Sequence, residues 1–329
     1  MATSLLNTVI TRLADASEKE LLDVLVYIGR QFEIKDGILK FTRFATFETL
    51  TTPINKLISG HDDIVTIDYT EISDVLKGRM YSLANHFEQC SSLKHIYFGE
   101  RFDTSVVTDM SSMFFDCYSL EELDLSSLDV SSVVDMHDMY LSCGSLKAIK
   151  FGEKFDTSHV TDMSSMFYGC EELTTIDLSS FSTYNVTNMN SMFRDCVKLA
   201  SLDLSSFDTS HVTDMKNMFA GCGSLRSVNL SSFDTSHVTD MDYMFDFCLS
   251  IESLDLSIFD TTNVITMRCM FGRCEKLQRL NIASFNACNI NHPFWYLEGC
   301  SMLKHIWAKP EVISALKNEI PKECMVHEQ

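Results

Sequence analysis

Apolar and polar positions recur along this chain with a fixed period. An aromatic or aliphatic residue opens each unit at Phe102, Leu128, Phe155, Phe181, Phe207, Phe233, Phe259 and Phe285, spaced 26 or 27 residues apart. Inside one unit, "FDTSHVTDMSSMFYGCEELTTIDLSS" (155–180), the period changes partway. Met163, Met166, Phe167 and Cys170 fall at i, i+3, i+4 and i+7, which predicts a short helix, with Thr161 as its N-cap and Asp162 at the positive end of its dipole. "LTTIDL" follows, where Ile176 and Leu178 alternate around Asp177 with the period of a strand buried on one face. "SSFDTS" closes the unit as a turn. The 27-residue units carry a longer exit, "FGER" before Phe102 and "FGEK" before Phe155.

One such unit cannot bury its own apolar face; stacked units can, at about 1.5–3 kcal/mol per large side chain removed from water. The pattern predicts an α/β solenoid, with short parallel strands on one face and short helices on the other. About nine coils at ~4.8 Å give a body on the order of 40 Å long. The repeat fades toward the N-terminus. "NHFEQCSSLKHIYF" fits half a unit, "IVTIDY" (64–69) a strand, and "TTPINKLISG" a short helix with Pro53 near its start. The division predicted is an N-terminal helical cap or docking region at 1–46, a solenoid at 47–307 with regular units from about 75, and a C-terminal helical cap at 308–329. Within 1–46, two apolar helix faces precede "FEIKDGILKF", a hairpin turning at Asp36-Gly37.

The strand signature L-x-x-L-x-L is the leucine-rich repeat pattern. The fuller phrase F-D-T-S-x-V-T-D-M-S-S-M-F-x-x-C-x-S-L-x-x-L-D-L-S-S closely resembles the BspA-like leucine-rich repeat family, the 26-residue class of many bacterial surface proteins. The resemblance covers roughly residues 75–307. It implies a right-handed leucine-rich solenoid and a role in adhesion or protein–protein recognition. Surface members of that family usually carry a signal or lipobox, and neither is seen here. A cytoplasmic or assembly-associated location is therefore the expectation, with surface display the family-level alternative.

Charge narrows the partner. The net charge is −20 over 329 residues, which disfavours nucleic acid, since phosphate contacts need a basic surface. No run approaches the ~18 apolar residues of a membrane span, so no membrane insertion is expected. Apolar content of 45% supports a large core.

Twelve cysteines invite a disulfide or metal reading. Nine of them (Cys90, Cys117, Cys143, Cys170, Cys196, Cys222, Cys248, Cys274 and Cys300) share one repeat position. They are expected to pack inward as small hydrophobes, which suits a reducing compartment. Cys269 lies off this ladder and is the candidate reactive thiol. Asp124, Asp177, Asp203 and Asp255, with Asn229 and Asn281 in register, form a strand-face ladder that is structural or could welcome a cation. His159, His211 and His237 share a loop position, read as exposed histidines rather than a metal pair. No P-loop, dinucleotide fingerprint, HExxH motif or nucleophile elbow is present. No enzymatic activity, metal or cofactor is expected.

Specificity is sought where the coils differ. The strand face barely varies, whereas the predicted helix face and its exit carry Phe115, Tyr118, Tyr168, Arg194, Tyr243, Phe247 and Arg273. Aromatics and arginines are favoured interface anchors. The expected function is a non-enzymatic recognition or adhesion protein binding another protein or cell-surface macromolecule. The alternative is a structural subunit or scaffold, assembled through residues 1–46.

Overall fold

A computed structural model describes residues 31–57, 63–286 and 296–329. The chain winds into stacked coils around one continuous core. Strands β1 (Phe32–Lys35) and β2 (Ile38–Phe41) form the hairpin expected at Asp36-Gly37, both at positive φ. Helices α1 (Phe47–Thr51) and α2 (Ile54–Leu57) follow, the first capped by the Thr46 hydroxyl, which accepts from the Thr49 amide. Strand β3 (Thr66–Asp68) then pairs in parallel with both β2 and β4 (His95–Tyr97).

Later coils add one short strand each: β5 (Glu122–Asp124), β6 (Ala148–Lys150), β7 (Ser201–Asp203), β8 (Ser227–Asn229), β9 (Ser253–Asp255), β10 (Arg279–Ile282) and β11 (His305–Ala308). The coil from Phe155 is the exception: the strand expected at "LTTIDL" does not form, and Ile176 is only half-buried. Pairing joins β5 to β6, β7 to β8, and β9 through β11, all in parallel. Pairing lapses between β4 and β5, between β6 and β7, and between β8 and β9. A second column of single parallel bridges is unbroken from Ser82 through Asp109, Asp135, Asp162, Asn188, Asp214 and Asp240 to Thr266.

The segment opposite the strands departs from the helix that the sequence predicts. It is a run of overlapping turns. In the coil from Phe155, the amides of Met166, Tyr168 and Cys170 close turns onto Met163, Ser165 and Phe167. The alternate amides of Met163, Ser165, Phe167 and Gly169 donate instead to Asn188, Asn190, Met192 and Arg194 of the next coil, at 2.7–3.1 Å. A helix would keep all these amides to itself; the turns give half of them to the stack. The geometry requires a left-handed residue every fourth position, here Ser165 (φ 53°) and Gly169 (φ 72°). Thr161 is accordingly no N-cap: its hydroxyl donates to Val134 of the preceding coil, and Asp162 Oδ1 accepts from Ser164 instead.

The inward rungs are the apolar residues that the sequence pattern marks. Met163, Met166, Phe167, Cys170 and Leu173 are fully buried, as are their equivalents along the stack. Phe87, Phe114, Tyr140, Phe167, Phe193, Phe219, Phe245 and Phe271 form one column of stacked rings, with centroids 5.2–6.1 Å apart. The C-terminal end is only partly helical. Helix α3 (Pro310–Leu316) buries Val312 and Leu316, and the chain then adds a further parallel strand, β12 (Met325–Glu328), beside β11. The helices expected before residue 31 lie outside the described residues.

Candidate functional site

The turn face carries the variation. Its two left-handed columns read Asn85, Ser112, Asp138, Ser165, Ser191, Asn217, Tyr243, Cys269 and Gln89, Asp116, Ser142, Gly169, Asp195, Gly221, Phe247, Arg273, Gly299. An L-residue there costs about 1–2 kcal/mol, which glycine avoids and short polar side chains offset by local hydrogen bonds. Most coils obey that rule. Tyr243 (φ 59°), Phe247 (φ 58°) and Arg273 (φ 54°) break it on two consecutive coils.

The seven candidate residues separate into groups. The Arg194 guanidinium lies 5.0 Å above the Tyr168 ring of the preceding coil, and the Arg273 guanidinium lies 4.8 Å above Phe247, again one coil back, further along the stack. Tyr243 stands four residues before Phe247 on that face. Phe115 and Tyr118 are two coils before Tyr168 and stand apart from these pairs. Tyr118, Phe247 and Arg273 are exposed, whereas Phe115, Tyr168, Arg194 and Tyr243 are half-buried.

Between the two arginine–aromatic pairs runs a groove of about 780 Å³. The coil at its floor presents Ala220, Gly221 and Gly223; Arg194 and Val197 line one side, Phe247 and Leu249 the other. A Cβ on Gly221 (φ 75°) would stand 1.9 Å from Asp195 Oδ1, so a larger residue there would push the Asp195 carboxylate aside. Asp246 also lines the groove, and burial pushes its carboxyl up to about 6 despite the pull of Arg273 and Arg194. The sequence reading missed Gly221 and left Asp246 out of its candidates. The available signal was the run Tyr168, Arg194, Ala220, Asp246 at one repeat position, where size and charge change at every coil.

The other candidates resolve into packing and turns. The nine ladder thiols are buried, and burial holds Cys143 and Cys222 up at about 12. Cys269 is half-buried, and burial together with Asp246, Glu298, Asp242 and Glu319 raises its thiol, the opposite of an activated thiolate. In the strand-face ladder, Lys150 reaches Asp124 at 2.9 Å, and Asn229 donates to Asp203 at 2.9 Å. Neighbouring coils thus supply a cation or an amide to these carboxylates. His159, His211 and His237 are exposed, and the His211 ring meets Tyr184 edge-on at 4.7 Å. Among the described residues no three metal-ligating side chains converge, and no helix is long and apolar enough to cross a membrane.

A family model described as "Mycoplasma protein of unknown function, DUF285" matches residues 81–201, 143–228 and 197–306 in overlapping copies. No curated protein matches the chain. Among solved structures, a leucine-rich repeat protein from Bacteroides ovatus aligns at 16% identity over 81% of this chain and 88% of its own, with a TM-score of 0.28. One from Eubacterium ventriosum aligns at 13% identity over 85% and 91%, with a TM-score of 0.33. A TLR13–ssRNA13 complex aligns at 15% identity over 82% of this chain and 36% of that one, with a TM-score of 0.35. The overlapping family matches span the same coils that carry the 26-residue phrase, and the chain belongs to the DUF285 family, with a repeat of the BspA-like leucine-rich type.

Proposed function

We propose that this chain is a recognition protein that presents the turn face of its C-terminal coils to another protein or cell-surface macromolecule. One observation carries the reading. Tyr243, Phe247 and Arg273 occupy left-handed positions that most other coils give to Ser, Asn, Asp or Gly, with Gln89 and Cys269 the remaining departures. Bulky side chains held at a conformational cost, on an exposed face beside a groove, mark positions kept for contact rather than for folding.

The test exchanges these residues for those of sister coils: Tyr243→Asn, Phe247→Gly and Arg273→Gly together. The expected result is a chain more stable by about 1–3 kcal/mol, whose affinity for a partner purified from the native source falls at least tenfold. A destabilised variant with unchanged affinity overturns the reading.

A second reading is a subunit of a larger assembly docked through residues 1–46. It is favoured by exposed apolar side chains at the N-terminal hairpin and the turn after it, Ile34 (39%), Ile38 (40%) and Phe44 (53%). Light scattering on the whole chain and on a chain lacking 1–46 separates the two, since only this reading expects an oligomer that the deletion abolishes.

A further inference from the structure

The groove holds the half-buried carboxylate of Asp246. Among the described residues no ion pair reaches Asp246, although three cations stand nearby. Arg194 lies over the Tyr168 ring, and its Nε stands 3.4 Å from Asp195 Oδ2. Arg273 lies over Phe247. Lys216 draws on Asp240. Asp246 Oδ1 rests against the next coil, where a Cβ on Gly272 would meet it at 2.4 Å, and the residue is half-buried there. A partly desolvated carboxylate gains more from an arriving cation than one in bulk water.

The walls suit the stem of such a cation. Phe247 offers an aromatic ring, and Val197 and Leu249 offer aliphatic rims. The open floor is one coil wide, so its flanking coils stand about 10 Å apart at ~4.8 Å per step. That admits a side chain from an extended segment and excludes a helix, about 10–12 Å across. The chain's net charge of −20 complements a basic partner and steers it inward.

We infer that the groove takes a lysine or arginine side chain presented by an extended segment of a partner protein, its charge against Asp246 and its methylene stem along Phe247 and Leu249. This rests on the recognition reading above.

The test selects a phage-displayed library of random nine-residue peptides on the immobilised full chain. Enriched sequences are then synthesised with their basic residue kept or replaced by norleucine. Enrichment of Arg or Lys at one position is expected, with at least a tenfold loss of affinity on replacement. Asp246→Asn in the protein should cost a similar factor, and the two losses should not add. Asp255→Asn, an exposed carboxylate on the strand face, should leave affinity within twofold; an equal loss there would mean general charge attraction and overturn the inference. Peptides without a basic residue whose binding still falls with Phe247→Ala overturn the cationic anchor and leave the recognition face standing. No enrichment, or binding indifferent to both Asp246→Asn and Phe247→Ala, overturns both. Thermal melts that stay cooperative show that each variant is folded.

Discussion

The thiol of Cys196 donates to the backbone carbonyl of Phe167, 3.1 Å away in the preceding coil. The same carbonyl accepts from the Cys170 amide of its own coil. The bond recurs along the stack, from Cys117 with Phe87 at 3.1 Å to Cys300 with Phe271 at 3.1 Å. Cysteine here is thus a small apolar side chain that also ties one coil to the last. A pure hydrophobe at this site would tolerate Ala better than Ser. The thiol bond predicts the reverse: Cys196→Ser should be more stable than Cys196→Ala by about 1 kcal/mol, the net value of one hydrogen bond. Urea denaturation of the two variants decides the order. The ladder thiols should also react with a thiol reagent only after unfolding, because burial disfavours their thiolates.

The threonine of the "FDTS" phrase does related work. The buried Thr209 hydroxyl donates to the Asp234 carbonyl at 2.8 Å and accepts the Asp234 amide at 2.9 Å. Thr209→Val keeps the shape and strands both backbone groups. It should cost about 2–4 kcal/mol, while Thr209→Ser, which keeps the hydroxyl, should cost under half of that. Equal losses in the two variants would mean that the methyl group matters and the bridge does not.

The period, the strands and the buried rungs were legible in the sequence because burial acts on side chains, and side chains are what the sequence spells. The turn run was not. Met163, Met166, Phe167 and Cys170 sit at helical spacing, yet turns that alternate between right- and left-handed residues point the same four side chains inward. Ser165 and Gly169 were the discriminating signals. The bonds made by Cys196 and Thr209 were invisible for another reason: their partners are backbone groups that meet them only once the coils stack. On the turn face, the aromatics, the arginines and Asp246 stood out as departures from the repeat. Gly221 did not, since it acts by what it lacks.

His86 takes the position that methionine fills in the following coils, such as Met113 and Met139. It is fully buried and lies 3.0 Å from the Tyr69 hydroxyl, and burial lowers it to about 3. In the unfolded chain it titrates near 6.5. Between these values the unfolded state binds the extra proton, so stability rises with pH. The contribution is complete above about 6.5 and is lost as pH falls toward about 3, at up to ~1.4 kcal/mol per pH unit. Denaturation at pH 7.5 and 5.0 should show this loss in the native chain. It should be smaller by more than 1 kcal/mol in the double variant Tyr69→Phe, His86→Met.

Tyr140 interrupts the phenylalanine column, and its buried hydroxyl has no hydrogen-bond partner among the described residues. Tyr140→Phe restores the column and removes an unpaired polar group. It should stabilise the chain by about 1–3 kcal/mol, read as a higher urea midpoint with an unchanged slope. A drop in the midpoint would show that the hydroxyl is engaged in solution.

Asp242 and Arg268 mark where the repeat mends itself. In regular coils the bridge-column aspartate accepts the amide two residues on, as Asp162 does from Ser164 at 2.8 Å and Asp214 from Lys216 at 2.9 Å. Thr266 has no carboxylate for this task. Asp242 of the preceding coil supplies it instead: one oxygen accepts the Arg268 amide at 2.6 Å and the Thr266 hydroxyl, and the other takes Arg268 Nε at 2.7 Å. The Asp242 side chain is wholly buried, and its carboxyl is held down because these donors outweigh burial. Asp242→Ser, the residue of sister coils, should therefore cost about 3–5 kcal/mol. Thr266→Asp alone should also destabilise, since it sets a second carboxylate beside Asp242. Combined, the two changes rebuild a regular coil, and the double variant should recover most of the loss. A coupling of at least ~2 kcal/mol in that cycle would show that one residue of the repeat has moved its task to the coil before; simple additivity would refute the exchange.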